Sequence, residues 1–232
     1  MNYPDDFINK IICGDCLEVM RTFEDNSVDT IITDPPYGLS FMGKKWDYEV
    51  PSVEIWQECL RVLKPGGTAL IFAGSRTQHR MAVNIEDAGF ILKDTIMWLY
   101  GSGFPKATDI SKQIDKMAGA EREVIGKKID ISSGKPMSAK QAKAGSGKNI
   151  NEGWDRPWRK DDNHCENMTN ITAPATPEAQ LWNGYKSHGL KPAYEPVLLC
   201  MKPNEGSYAN NALKWGVAGL NIDGGRIGHN EP

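Results

Sequence analysis

At 232 residues the chain is long enough for one α/β domain with an inserted lobe, and 40% hydrophobic content is enough for a core. No apolar run approaches the roughly 20 residues of a membrane span, and the acidic start Met1-Asn2-Tyr3-Pro4-Asp5-Asp6 is unlike a signal peptide. The net charge of −3 does not by itself mark a nucleic-acid binder, but its distribution does: 15 Lys and Arg against 11 Asp and Glu fall between residues 105 and 194, leaving 12 against 19 elsewhere. Five scattered cysteines, an odd number, point to a reducing cytoplasm. Cys13-Gly14-Asp15-Cys16 has zinc-ligand spacing, yet no second pair follows and His164-Cys165 stands alone, so no metal site is expected.

In chain order, Lys10 to Cys13 reads as a first strand, ended by Gly14-Asp15, and Leu17 to Thr22 as a helix. Val28 to Thr33 is rich in β-branched residues and reads as a buried strand. Val53, Trp56, Leu60 and Leu63 fall at i, i+3, i+7 and i+10, the stripe of an amphipathic helix, which Pro65-Gly66-Gly67 stops. Thr68 to Ala73 is the next buried strand, Arg76 to Ala88 a helix, and Phe90 to Tyr100 another strand. This alternation predicts parallel α/β layers over residues 1–104. From 105 to 190 the pattern breaks down. Lys127, Lys128, Lys135, Lys140, Lys143 and Lys148 share a polar stretch with one acid, Asp130, and Trp154, Arg156, Trp158, Arg159 and Lys160 follow. This reads as a flexible basic insertion, either a DNA-contacting lobe or a solvated loop. Residues 191–232 return to the core through a late strand at Val197 to Met201, a short helix at Ala212 to Trp215 and a glycine-rich loop at Gly219 to Arg226. The Gly101-Ser-Gly103 and Gly145-Ser-Gly147 stretches lack the strand–turn–helix setting of a cofactor loop.

The chemistry concentrates at Asp34-Pro35-Pro36-Tyr37. Two prolines cannot continue the strand before them, so Asp34 sits just past a strand's carboxyl end, where ligands bind in open α/β sheets. An acid, two free carbonyls and an aromatic face then share one stiff loop. That set suits the exocyclic amino group of a nucleobase: Asp34 accepts one N–H, the Pro35 carbonyl accepts the other, and Tyr37 stacks on a base flipped from the duplex. The following loop, with Lys44 and Lys45, reads as a lid meeting phosphates or as an ordinary solvated loop.

The tetrapeptide resembles the catalytic motif of the amino-group DNA methyltransferases, which act on adenine or cytosine using S-adenosylmethionine, and its Asp form looks more like that of the adenine enzymes. The order of an acidic strand end, Asp-Pro-Pro-Tyr and then Leu-Lys-Pro-Gly-Gly before a strand is similar to the family's. The resemblance implies a Rossmann-like S-adenosylmethionine-dependent methyltransferase fold with a basic insertion serving duplex DNA recognition. In it Asp34, Pro35, Pro36 and Tyr37 are catalytic, Asp34 also meets the cofactor, and Asp15 lies near the cofactor adenine, although Asp15 equally suits a helix cap. Trp98 matches an aromatic near the target base and equally suits a core position. Lys44, Lys45, Lys127, Lys128, Arg156 and Arg159 are the expected DNA contacts. In the family's order the main cofactor segment, a strand ending in Asp-Pro-Phe-x-Gly-Ser-Gly, comes last, and these 232 residues do not contain it. The implied fold is therefore incomplete at its carboxyl end, with an exposed apolar edge, and a partner chain or further segment completes the cofactor site. A cytosine amino-group methyltransferase and a non-catalytic DNA-binding subunit are the alternative readings.

Overall fold

The computed structural model describes residues 7–40, 43–101, 107–130, 133–138, 162–190 and 193–227. The chain forms two compact units, residues 1–104 with 192–232, and residues 105–191.

The first unit is built on a four-stranded sheet. Helix α1 (Cys16–Met20) precedes strand β1 (Val28–Thr33), helix α2 (Val53–Val62) leads into β2 (Leu63–Phe72), and helix α3 (Gln78–Asp87) leads into β3 (Ile91–Leu99). In space β1 lies parallel to β2, and the last strand, Tyr194–Met201, is inserted between β2 and β3, antiparallel to both. The predicted pairing of the late strand with the Phe90 strand is thus present, with Trp98 opposite Glu195. Ala69 and Ile71 alternate along β2 on one face, Ala73 follows just past its end, and the three meet Trp56, Cys59, Met81 and Ile85 from α2 and α3. These side chains are at most 6% exposed and form the core.

Two expectations about this unit need correction. Lys10 to Cys13 is not a strand: it has no ladder partner among the described residues, and Ile11 is fully exposed. Amphipathic sequence alone cannot form a strand without a neighbour to accept its hydrogen bonds. Pro65-Gly66-Gly67 does not separate helix from strand either, because β2 begins at Leu63 and runs through it. Gly66 has φ +74°, its amide donates to Lys202 O at 3.1 Å, and a Cβ there would lie 2.3 Å from Asn211 Nδ2. The buried Asn211 Nδ2 donates to Pro65 O at 2.6 Å and to Val217 O at 2.5 Å, which ties the carboxyl-terminal segment to β2. The helix carrying Asn211 spans Tyr208–Trp215, one turn longer than expected, and the Gly219–Arg226 loop contains a helical turn at Ile222–Gly225 capped by Asn221.

The described residues of the second unit, 107–130, 133–138 and 162–190, include regular elements where the composition suggested none. The unit holds helix α4 (Ile110–Met117), strand β4 (Val124–Lys127), helix α5 (Asp162–Thr169), strand β5 (Asn170–Thr172) and helix α6 (Pro177–Leu181), with β4 and β5 antiparallel. Its centre is polar. Buried Asp115 accepts from Ala175 N at 3.0 Å, Thr176 N at 3.0 Å and Thr176 Oγ1 at 2.8 Å, and it pairs with Arg122. Arg122 in turn donates to Ser111 Oγ and Thr172 Oγ1, both at 3.0 Å. Short elements joined by one carboxylate leave little periodicity in a sequence, so composition alone misread them. Arg156 and Arg159, with Trp154 and Trp158, lie outside the described residues, as do Lys140, Lys143, Lys148, Gly103, Gly145 and Gly147.

All five cysteines are free, with Cys13 and Cys16 exposed and three buried. Burial pushes the thiols of Cys59 and Cys200 up to about 12. A disulfide-exchange reagent is expected to titrate Cys13 and Cys16 at once and the other three only after denaturation. Burial opposes ionisation of Asp115, but the Ala175 and Thr176 donors and Arg122 outweigh it and hold the carboxyl below its ordinary 3.8. Its stabilisation is therefore complete above that pH and is lost as pH falls through the lower folded value. Thermal melts between pH 5 and 2 should show this loss, and Asp115→Ala should lower the melting temperature at pH 7 and flatten the acid dependence.

Candidate active site

Parallel pairing sends β1 and β2 to the same sheet edge. The inserted strand β6 (Tyr194–Met201) starts there and β3 ends there. Asp34, Phe72, Glu195 and Trp98 therefore converge from four strands that are distant in sequence. These four side chains line a cavity of about 220 Å³. Phe72 and Trp98 form a tilted aromatic pair with ring centroids 5.6 Å apart, and Trp98 remains 59% exposed. Trp98 is thus an edge residue and not a core one.

The loop Asp34-Pro35-Pro36-Tyr37 makes no ladder, so its shape comes from elsewhere. Asp47, 3% exposed, supplies it. Its Oδ1 accepts from Tyr37 N at 2.8 Å and Gly38 N at 2.9 Å, and its Oδ2 accepts from Leu39 N at 3.3 Å. Thr77 Oγ1 donates to Tyr37 O at 2.6 Å from the start of α3, and Gly74 lets that turn approach, since a Cβ there would lie 3.3 Å from Tyr37 Cβ. Tyr37 Oη donates to Asp34 Oδ1 at 2.6 Å and lies 3.5 Å from Glu195 Oε2. Burial, the hydrogen bond to Asp34 and the two carboxylates together raise the Tyr37 phenol far above its ordinary value, so it stays a neutral donor. The Pro35 carbonyl accepts no hydrogen bond among the described residues. Asp34 is exposed, with its second oxygen open to a ligand.

Asp15 caps α1, accepting from Leu17 N at 3.0 Å and Glu18 N at 3.2 Å through Oδ1. Next to it, Cys16 lines a second cavity of about 580 Å³, mostly apolar, which reaches Thr33, Pro35 and Pro36. This cavity adjoins β1, which among the described residues has a strand on one side only, and Ile32 there is 69% exposed. Lys44 and Lys45 are exposed and carry no ion pair among the described residues. In the second unit Lys127 pairs with Glu166, and Lys128 donates to Met168 O at 2.8 Å. No group of three or more His, Cys, Asp or Glu side chains gathers to hold a metal among the described residues.

A family model described as DNA methylase, spanning the N6 and N4 amino-group enzymes, matches residues 28–216. The chain belongs to that family. Among curated proteins it is 34% identical over 117 residues to the Type II methyltransferase M.HpaI of Haemophilus parainfluenzae, covering 46% of this chain and 36% of that protein. It is 29% identical over 115 residues to M.HinfI of Haemophilus influenzae, covering 40% of this chain and 32% of that protein. The chain thus matches about a third of the length of these relatives. Among solved structures, a complex of M1.HpyAVI with SAM covers 82% of this chain and 52% of its own at 16% identity, with a TM-score of 0.35.

Asp47, Glu195 and Phe72 were not predicted from sequence. Phe72 sits at the end of a recognised strand and was within reach of the strand-edge argument. Asp47 and Glu195 lie 10 and 158 residues from Tyr37, and no local pattern marks them. Asp47→Ala leaves three loop amides without their acceptor. It should destabilise the protein by roughly 2 kcal/mol in urea denaturation, with Asp47→Asn, which keeps one acceptor oxygen, in between.

Proposed function

We propose that the chain carries the catalytic loop of an N6-adenine DNA methyltransferase, moving a methyl group from S-adenosylmethionine to the exocyclic amino nitrogen of adenine in duplex DNA. The observation that carries this reading is the joint presentation of the open Asp34 carboxylate and the free Pro35 carbonyl beside an aromatic cavity at one sheet edge. Two acceptors match the two N–H donors of an amino group and hold its lone pair out of conjugation with the ring. Phe72, Trp98 and Tyr37 supply flat faces for a flipped base, which offset the few kcal/mol of unstacking. Catalysis then rests mainly on positioning: Asp34 and Pro35 aim the nitrogen, and Tyr37, fixed by Asp47 and Thr77, sets the plane of the base. Asp34 accepts the proton that the amino group sheds once the new N–C bond exists. The Asp-first form of the tetrapeptide favours adenine over cytosine.

The cofactor of the family supplies an electrophilic methyl group. The residues present fit one side of it. The 580 Å³ cavity is lined by Cys16, next to Asp15, by Pro35, next to Asp34, and by Trp56, whose Nε1 is buried without a partner among the described residues. The glycine loop expected for the other side is supplied, in this reading, by a further segment or a partner chain. Lys44 and Lys45 face DNA phosphates, and the second unit carries target recognition, with Arg156 and Arg159 as its contacts and Lys127 and Lys128 bracing it.

The test is transfer of labelled methyl groups to duplex DNA by the protein with its cofactor site complete, followed by nucleoside analysis. N6-methyladenine is the expected product, and N4-methylcytosine would move the assignment to the other amino-group class. Asp34→Ala should lower the rate about a hundredfold or more, and Tyr37→Ala similarly. An Asp34→Ala rate near wild type would remove the assignment.

A further inference from the structure

An indole stands exposed at the catalytic loop with no role in the reading above. Trp46 is 62% exposed, although it follows Lys45 in a short helical turn and immediately precedes the buried Asp47. Because Asp47 is pinned to three amides of the catalytic loop, the Trp46 backbone is held beside that loop. The ring lines a cavity of about 270 Å³ together with Asp34, Pro35, Pro36, Tyr37 and Leu39. It also lines the 580 Å³ cavity that runs to Cys16. It does not line the cavity of Phe72, Trp98 and Glu195, and Asp34 is the residue that the 270 Å³ cavity shares with that one. Among the described residues the 270 Å³ cavity has two aromatic rings, the open Asp34 carboxylate, the Asp47 carboxylate already bound to three amides, and no basic side chain. Electron-rich ring faces opposite a carboxylate favour a compact, weakly hydrated cation.

Resting on the methyltransferase reading, we propose that Trp46 covers the sulfonium centre of S-adenosylmethionine with its indole face, opposite Asp34, and so makes the chain sense the charge that the reaction removes. Transfer breaks the S–CH₃ bond, and its electron pair stays on sulfur as a neutral thioether, while the amino lone pair forms the N–C bond and the nitrogen then gives its proton to Asp34. The attraction to the ring exists before transfer and is gone after it. Trp46 therefore favours binding of the donor and release of the spent cofactor.

The test uses the protein with its cofactor site complete and calorimetric titration with S-adenosylmethionine and, separately, with S-adenosylhomocysteine, the neutral thioether. Trp46→Leu is expected to weaken binding of the first by about threefold to thirtyfold and of the second by less than twofold. Trp46→Phe should keep most of the preference. Equal losses for both ligands would show packing and not charge recognition, and no loss would show no contact; either overturns the proposal. A wild-type chain that binds neither ligand would instead count against a cofactor face on these residues, and this inference would go with it. A wild-type chain that binds both, with the ratio unmoved by Trp46→Leu, counts against Trp46 alone.

Discussion

Everything at the site depends on one buried carboxylate accepting three consecutive backbone amides. The loop after β1 cannot use a ladder, because two prolines have removed its donors and ended its strand. Left to itself, such a loop keeps considerable backbone freedom, about 1–2 kcal/mol per residue at room temperature. Asp47 removes that freedom from outside by fixing Tyr37, Gly38 and Leu39. The Thr77 hydroxyl holds the far side of Tyr37. The prolines thus leave an acceptor free for a ligand, and Asp47 gives that acceptor a direction. The same anchor holds Trp46 beside the prolines, so one carboxylate positions both the loop and the indole that line a cavity with Asp34.

The sheet topology explains why residues so far apart in sequence share a wall. Parallel β1 and β2 deliver Asp34 and Phe72 to one edge, and an antiparallel strand brings Glu195 to the same place between them and Trp98. An aromatic cavity lies toward the paired side of the sheet, while an apolar one lies beside β1, whose outer side has no strand among the described residues. Exposed apolar residues such as Ile32 on such a side invite another strand to pair there.

Much of this was legible in the sequence, for identifiable reasons. Asp34 to Tyr37 announce themselves because proline and β-branched residues have strong, local backbone preferences. The helix at Val53 follows from spacing alone, and the strand at Thr68 reads as a buried one. The first expected strand failed because a strand is a property of a pair, and Ile11 has no strand beside it among the described residues. The elements among the described residues of the second unit went unread because a polar node, Asp115 with Arg122, joins them. Asp47 was invisible for a related reason: an aspartate in a loop looks alike in sequence whether it meets water or three amides. Glu195 needed the strand order, which no window of residues contains.

The position of β6 has a consequence for how the chain comes to be folded. Among the described residues strand β3 pairs with no strand except β6, and β6 lies nearly a hundred residues further along. During synthesis β3 must therefore wait, with its backbone groups unmatched, until residues 194–201 have emerged. Closure of that span belongs to the late, slow part of folding, as non-local pairing generally does. The second unit, whose polar node joins residues 111 to 176, is complete in sequence before that closure and shortens the effective loop that has to be closed.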